Sequence, residues 1–172
     1  LLDVLAAAHD KGVVHRDIKP ENLFITRRGE LKVLDFGIAR LREAAMGAGV
    51  TRAGDLLGTP SFMSPEQALG NMDVVDARSD LWSVGATMFR LLTGRPVHVA
   101  ESVNRVLLAA MTMPATPITR ILPTIPPQLA AIVDRALAFE QKDRWPDARA
   151  MLAAVRAFAH GGGVRIEGSV LA

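Results

Sequence analysis

His15-Arg16-Asp17-Ile18-Lys19-Pro20-Glu21-Asn22 decides how this chain is read. Between Asp17 and Asn22 it sets an acid, a cation and an amide within six residues. Asp35-Phe36-Gly37 begins thirteen positions after Asn22, and two short apolar runs, 23–26 and 31–34, fill the gap. Arg27-Arg28-Gly29-Glu30 separates the runs with turn chemistry, so the spacing predicts a β-hairpin. A hairpin brings its ends together, which places Asn22 and Asp35 side by side. Two oxygen ligands at one place suit a divalent ion shared with phosphates. An Asn or Asp beside a strand is also an ordinary turn residue, and at this level both readings stand.

Moving a phosphoryl group needs a base at the acceptor hydroxyl, oxygen ligands for magnesium and a cation on the travelling phosphate. Asp17, then Asn22 with Asp35, then Lys19 supply those in order. The patterns H-R-D-x-K-P-x-N and D-F-G, in this order and spacing, resemble the eukaryotic-type (Hanks-type) protein kinases. Gly58-Thr59-Pro60-Ser61-Phe62-Met63-Ser64-Pro65-Glu66 resembles that family's G-T-x-x-Y-x-A-P-E segment, with Phe62 for Tyr and Ser64 for Ala. Asp80-Leu81-Trp82-Ser83-Val84-Gly85 resembles its D-x-W-S-x-G helix start.

The resemblance implies roles for named residues. Asp17 orients a substrate hydroxyl and takes its proton, Lys19 contacts the transferred phosphate, and Thr59 hydrogen-bonds near both. Asn22 and Asp35 hold Mg2+, and ATP is the donor. Lys19-Pro20-Glu21-Asn22 marks the Ser/Thr class, so the partners are protein substrates with Ser/Thr acceptors. Residues 35–66 form an activation segment. Within it Thr51 is the candidate phosphosite that Arg16 would pair with, the alternative being an unmodified solvent-facing threonine. Asp80 reaches the backbone of the catalytic loop in the family; its position at a helix start equally fits a cap. Arg144 pairs with Glu66, against the alternative of a solvated surface arginine. His15 is read as a packing and backbone-bonding residue.

Composition narrows the field. With 172 residues, 49% hydrophobic and 22% charged, the chain suits one domain with a real core. No cysteine is present, which excludes disulfides, thiolate metal sites and a cysteine nucleophile. The net charge is +2 and the cations are scattered, so no nucleic-acid partner is expected. No apolar stretch is long enough to span a bilayer, no membrane segment is expected, and the expected compartment is cytoplasmic. The Ala- and Arg-rich composition points to a bacterial source.

The expected fold class is mainly α with a small β-hairpin, namely the large C-terminal lobe of an α+β two-lobe kinase over residues 1–160, followed by a flexible tail, 161–172. No glycine-rich phosphate loop, V-A-I-K lysine or partner glutamate is found, so the N-terminal lobe is read as missing. The expectation is a Ser/Thr kinase fragment inactive without that lobe. The alternative is a truncated, catalytically inactive scaffold, and a chance likeness in a helical binding domain is a remote third.

Periodicity predicts a helix over 1–9 stopped by Gly12, a short one over 41–46 and a turn over 67–71. A central helix is expected to start on Ser79 or Asp80, with Leu81, Val84, Met88, Leu91 and Leu92 recurring on one face, and to end at Thr93-Gly94. Helices over 103–111, from Pro127, and over 146–159 complete the set, with a Pro-rich connector between 114 and 127.

Overall fold

The computed structural model describes residues 1–35 and 60–161. Helix α1, Leu2–His9, opens the chain. A two-stranded antiparallel sheet follows, β1 (Leu23–Ile25) with β2 (Leu31–Val33). Then come α2 (Pro65–Ala68), α3 (Ala77–Thr93), α4 (Val103–Thr112), α5 (Pro127–Ala136) and α6 (Ala148–Gly161). The expected helix at 41–46 lies outside the described residues, as does most of the 35–66 segment.

The hairpin pairs Leu23 with Val33, Phe24 with Lys32 and Ile25 with Leu31. Gly29 takes φ +76°, the left-handed turn conformation that glycine adopts without strain. Beyond the strands, Leu34 N–H donates to Asn22 O at 2.8 Å. The pairing therefore continues to the residue before Asp35.

Helix α3 is the centre of the molecule. Asp76, not Ser79 or Asp80, caps it: its carboxylate accepts Arg78 N–H at 2.8 Å and is also clasped by the Arg78 guanidinium. The helix thus starts one turn earlier than the periodicity predicts, and Ser79 and Asp80 sit inside it with side chains free for other work. Gly94, at φ +74°, donates to Arg90 O at 2.9 Å and closes the other end.

Leu81 and Val84 face one core cluster, shared with Leu2 and Leu5 of α1, Ile132 and Ala136 of α5, and Met151 of α6. Trp82, Ala86 and Phe89 face a second, with Phe62, Ile118, Val133 and Leu137. Burial on two sides explains why the helix is apolar almost all round. Leu91 and Leu92, on the last turn, are the exceptions, 71% and 37% exposed.

The remaining ends are set locally. Helix α1 stops at Asp10, and Gly12 takes the left-handed conformation two residues later, at φ +72°. Pro127 occupies the first turn of α5, where its missing N–H costs nothing. Helix α6 begins at Ala148 rather than at 146, because the Asp147 carboxylate accepts Ala150 N–H at 2.8 Å as a cap. It continues through Gly161, so that residue belongs to the helix and not to a tail. Among the described residues, no helix is long and apolar enough to cross a membrane.

Gly85 of α3 packs closely against α5 and the residue after it. A Cβ built there would lie 2.7 Å from Ala136 Cβ and 3.2 Å from Leu137 Cγ. Alanine's helix propensity favours Gly85→Ala by about 1 kcal/mol. Overpacking a rigid contact costs about 1–3 kcal/mol, and Ala136 has no rotamer with which to give way. Gly85→Ala is therefore expected to lower the thermal midpoint by several degrees; a midpoint above wild type in calorimetry would contradict this close approach.

Candidate active site

The loop between α1 and β1 is built around a buried carboxylate that does not belong to it. Asp80, fully buried on α3, accepts His15 N–H at 2.8 Å through Oδ2 and Arg16 N–H at 2.7 Å through Oδ1. His9 Nε2, at the end of α1, lies 2.8 Å from the same Oδ2. An ionised carboxylate only accepts, so the His9 hydrogen sits on Nε2. A buried charge is tolerable when its lone pairs are used this fully.

Arg16 needs that support. Its φ is +68°, a left-handed conformation that costs a non-glycine residue about 1–2 kcal/mol. Its N–H is fixed by Asp80, and its carbonyl accepts from Gln67 Nε2 at 2.8 Å. Two residues later the fully buried Ile18 anchors the loop in the core. Asp17 is thus displayed between two fixed points.

Asp17 Oδ2 lies 2.9 Å from Lys19 Nζ and accepts from Asn22 Nδ2 at 2.9 Å. Asn22 Nδ2 also donates to Asp17 O at 2.7 Å. The other carboxylate oxygen, Oδ1, accepts from no described residue, and the side chain is partly exposed. An acid held by one oxygen and offered by the other has the form of a general base.

The hairpin brings Asp35 to the same end. Asn22 lies buried in a short 3₁₀ turn, Pro20–Asn22, directly before β1. Asp35 follows Leu34, whose N–H is bonded to Asn22 O. His15 ties the two segments together: Nδ1 accepts Asp17 N–H at 3.3 Å, and Nε2 lies 3.1 Å from Leu34 O. Asp35 is exposed and has φ +49°.

These residues also fit magnesium, a hard cation that takes oxygen ligands. Asn22 turns its nitrogen to Asp17, which leaves its amide oxygen as an acceptor, and its backbone pairs with Leu34, the residue before Asp35. Among the described residues there is no group of three or more His, Cys, Asp or Glu that could hold a metal. An ion at this place would complete its shell with phosphate and water.

The protein kinase domain family matches residues 1–155. The chain belongs to the protein kinase family. It is 43% identical over 147 residues to the serine/threonine-protein kinase Pkn1 of Myxococcus xanthus, covering 83% of this chain and 21% of that protein. It is 42% identical over 165 residues to pkn2 of the same organism, covering 93% and 20%. It is 39% identical over 160 residues to PknL of Mycobacterium tuberculosis, covering 92% and 39%. The kinase chain therefore spans less than half the length of these relatives.

A second constellation braces the kinase domain from behind. Glu66 and Arg144 form a bidentate pair, with both N–O distances 2.8 Å and Arg144 1% exposed. Arg144 also donates to Ala138 O and Phe139 O and lies 5.0 Å from the Trp82 ring centre. Ser79 Oγ donates to Glu66 at 2.5 Å. Burial alone would push the Glu66 carboxyl up, but the hydrogen bonds and charge of Arg144, with Ser79, bring it down to about 2.

Thr51 and Thr59 lie outside the described residues. Arg16's guanidinium has no ion-pair or hydrogen-bond partner among the described ones. Asp80 is not a helix cap, because Asp76 already performs that task and leaves its carboxylate for His15 and Arg16. Two residues of this neighbourhood, His9 and Gln67, carry no functional signal in the sequence. For Gln67 a partial cue exists: Ser64-x-x-Gln67 has the spacing of a capping box.

Proposed function

We propose that the full-length protein transfers the γ-phosphoryl group of ATP to serine or threonine hydroxyls of proteins, and that residues 1–160 are the large C-terminal lobe of that kinase. The observation that carries this reading is the cluster at Asp17, where Lys19 and Asn22 share one carboxylate oxygen and leave the other open. Asp17 accepts the hydroxyl proton as the hydroxyl oxygen bonds to the γ-phosphorus. The bond to the β–γ bridging oxygen breaks, and ADP leaves with the electron pair. Lys19, 2.9 Å from Asp17, supplies the cation that contacts the transferred phosphate. Asn22 and Asp35 hold magnesium, which supplies charge neutralisation on the phosphates when bound.

The hairpin supports the reading of a missing lobe. Phe24 and Ile25 are adjacent in β1, so their side chains point to opposite faces, yet they are 58% and 69% exposed. Leu34 is 45% exposed beside them. Val33 rests one face of the hairpin against the core, while the Phe24 face and the Ile25 end are left bare. A second lobe lying over it would bury these side chains and roof the nucleotide.

Full-length protein with Mg-ATP is expected to label serine and threonine peptides and not a tyrosine peptide, and chelation with EDTA should abolish labelling. The 172-residue chain alone is expected to label at background. Robust labelling by that chain, or full-length turnover that survives EDTA, would contradict the proposal.

A further inference from the structure

Gln67 lies on α2, 51 residues from the loop that displays Asp17, and is 7% exposed. Every polar atom of its side chain faces a partner that matters. Oε1 accepts Ser64 N–H at 3.2 Å and Ser64 Oγ–H at 3.1 Å, at the end of the 35–66 segment. Nε2 donates to Arg16 O at 2.8 Å. One amide thus joins the end of that segment to the peptide immediately before Asp17. On the opposite side of the same residue, Asp80 grips the Arg16 N–H.

The juxtaposition matters because Arg16 is held at φ +68°. A left-handed non-glycine residue relaxes once its surroundings stop determining it. Rotation there turns the Arg16–Asp17 peptide and carries the Asp17 carboxylate away from the hydroxyl it serves. Asp80 fixes one end of the strained residue; Gln67 fixes the other. We infer that Gln67 is a positioning residue for phosphoryl transfer, acting through the Arg16 carbonyl, a role that rests on the kinase reading above.

A simple helix-capping role makes a different prediction. In a capping box the third helical residue is Glu or Gln alike, because only its oxygen is used. Gln67→Glu keeps the acceptor for Ser64 but, when ionised, sets an oxygen against Arg16 O in place of a donor. Capping alone therefore predicts a neutral change, whereas positioning predicts a loss. A displacement of about 1 Å costs up to a hundredfold in rate, so kcat of full-length Gln67→Glu at pH 8 should fall about ten- to a hundredfold, with KM for ATP within about twofold.

A second readout needs no turnover. Arg-Asp occurs once in these 172 residues, at Arg16-Asp17. Labelling with 13C-carbonyl arginine and 15N-aspartate reports this peptide, identified in the full-length protein as the signal that Asp17→Asn removes, and loss of the donor should move the Arg16 carbonyl resonance upfield. Gln67→Met, which removes the donor without adding charge, should move it the same way and lower kcat similarly. If neither variant folds, the scalar coupling between Gln67 Nε2 and the Arg16 carbonyl in the wild-type protein decides, and its absence overturns the proposal. Wild-type kcat in Gln67→Glu overturns it as well. Absence of serine and threonine labelling by the wild-type full-length protein would instead overturn the kinase reading, so the two failures are distinguishable.

Discussion

Replacing Asp17 with asparagine in the full-length protein is expected to slow phosphoryl transfer by about 10²–10⁴-fold. Asparagine matches aspartate in shape but cannot take a proton at neutral pH. The fold should tolerate the change, because Asp17 is partly exposed and a partly exposed ion pair such as that with Lys19 contributes about 0–1 kcal/mol. The thermal midpoint should stay close to wild type while kcat collapses and nucleotide affinity changes little. Steady-state kinetics with a serine peptide, alongside calorimetry, separates these effects. A variant that keeps a tenth or more of wild-type kcat would remove Asp17 from the role of base.

Arg144→Met is expected to give the largest loss of stability. It removes a 1% exposed guanidinium and leaves Glu66, 6% exposed, as a buried carboxylate with Ser79 and Gln141 as its remaining partners. Breaking a buried pair from one side costs about 3–5 kcal/mol. Replacing both partners, Glu66→Leu with Arg144→Met, should cost much less, because no charge is then left unpaired. Chemical denaturation of the three variants tests the difference; equal losses in the single and double variants would show that packing, not charge, is at stake.

The same pair sets an acid dependence. Glu66 is held at about 2 in the folded chain against 4.5 for an ordinary glutamate. A depressed carboxyl stabilises above its unfolded value and loses that contribution as pH falls through the folded one. About 3 kcal/mol is therefore present above pH 4.5 and lost between roughly pH 4.5 and 2. In Arg144→Met burial is no longer opposed, so the gap between wild type and variant should narrow on acidification.

Much of this architecture is legible in the residues, and the parts that are not share a cause. The hairpin, the Gly94 stop and the Pro127 start follow from turn and cap chemistry confined to a few neighbours. For Asp80 the loop-bonding role that the resemblance implies is the one observed; the competing cap reading arises because helix starts are rich in Asp, and nothing nearby shows that Asp76 takes the cap. Its real partners, His15 and Arg16, are more than sixty positions earlier. Leu91 and Leu92 have core periodicity, yet they lie on the last turn of α3 and are exposed. The positive φ of Arg16 has no sequence signature at all, since arginine does not favour it. The Gln67 bridge follows from it, visible only once the loop and α2 are in contact.

The most direct measurement is paramagnetic broadening in the full-length protein with ADP and Mn2+ standing in for magnesium. Resonances of Asn22 and Asp35 should broaden first and Asp17 next, while those of α5 and α6 stay sharp. Broadening that spares Asn22 and Asp35, or that centres elsewhere on the chain, would contradict a shared ion at the end of the hairpin.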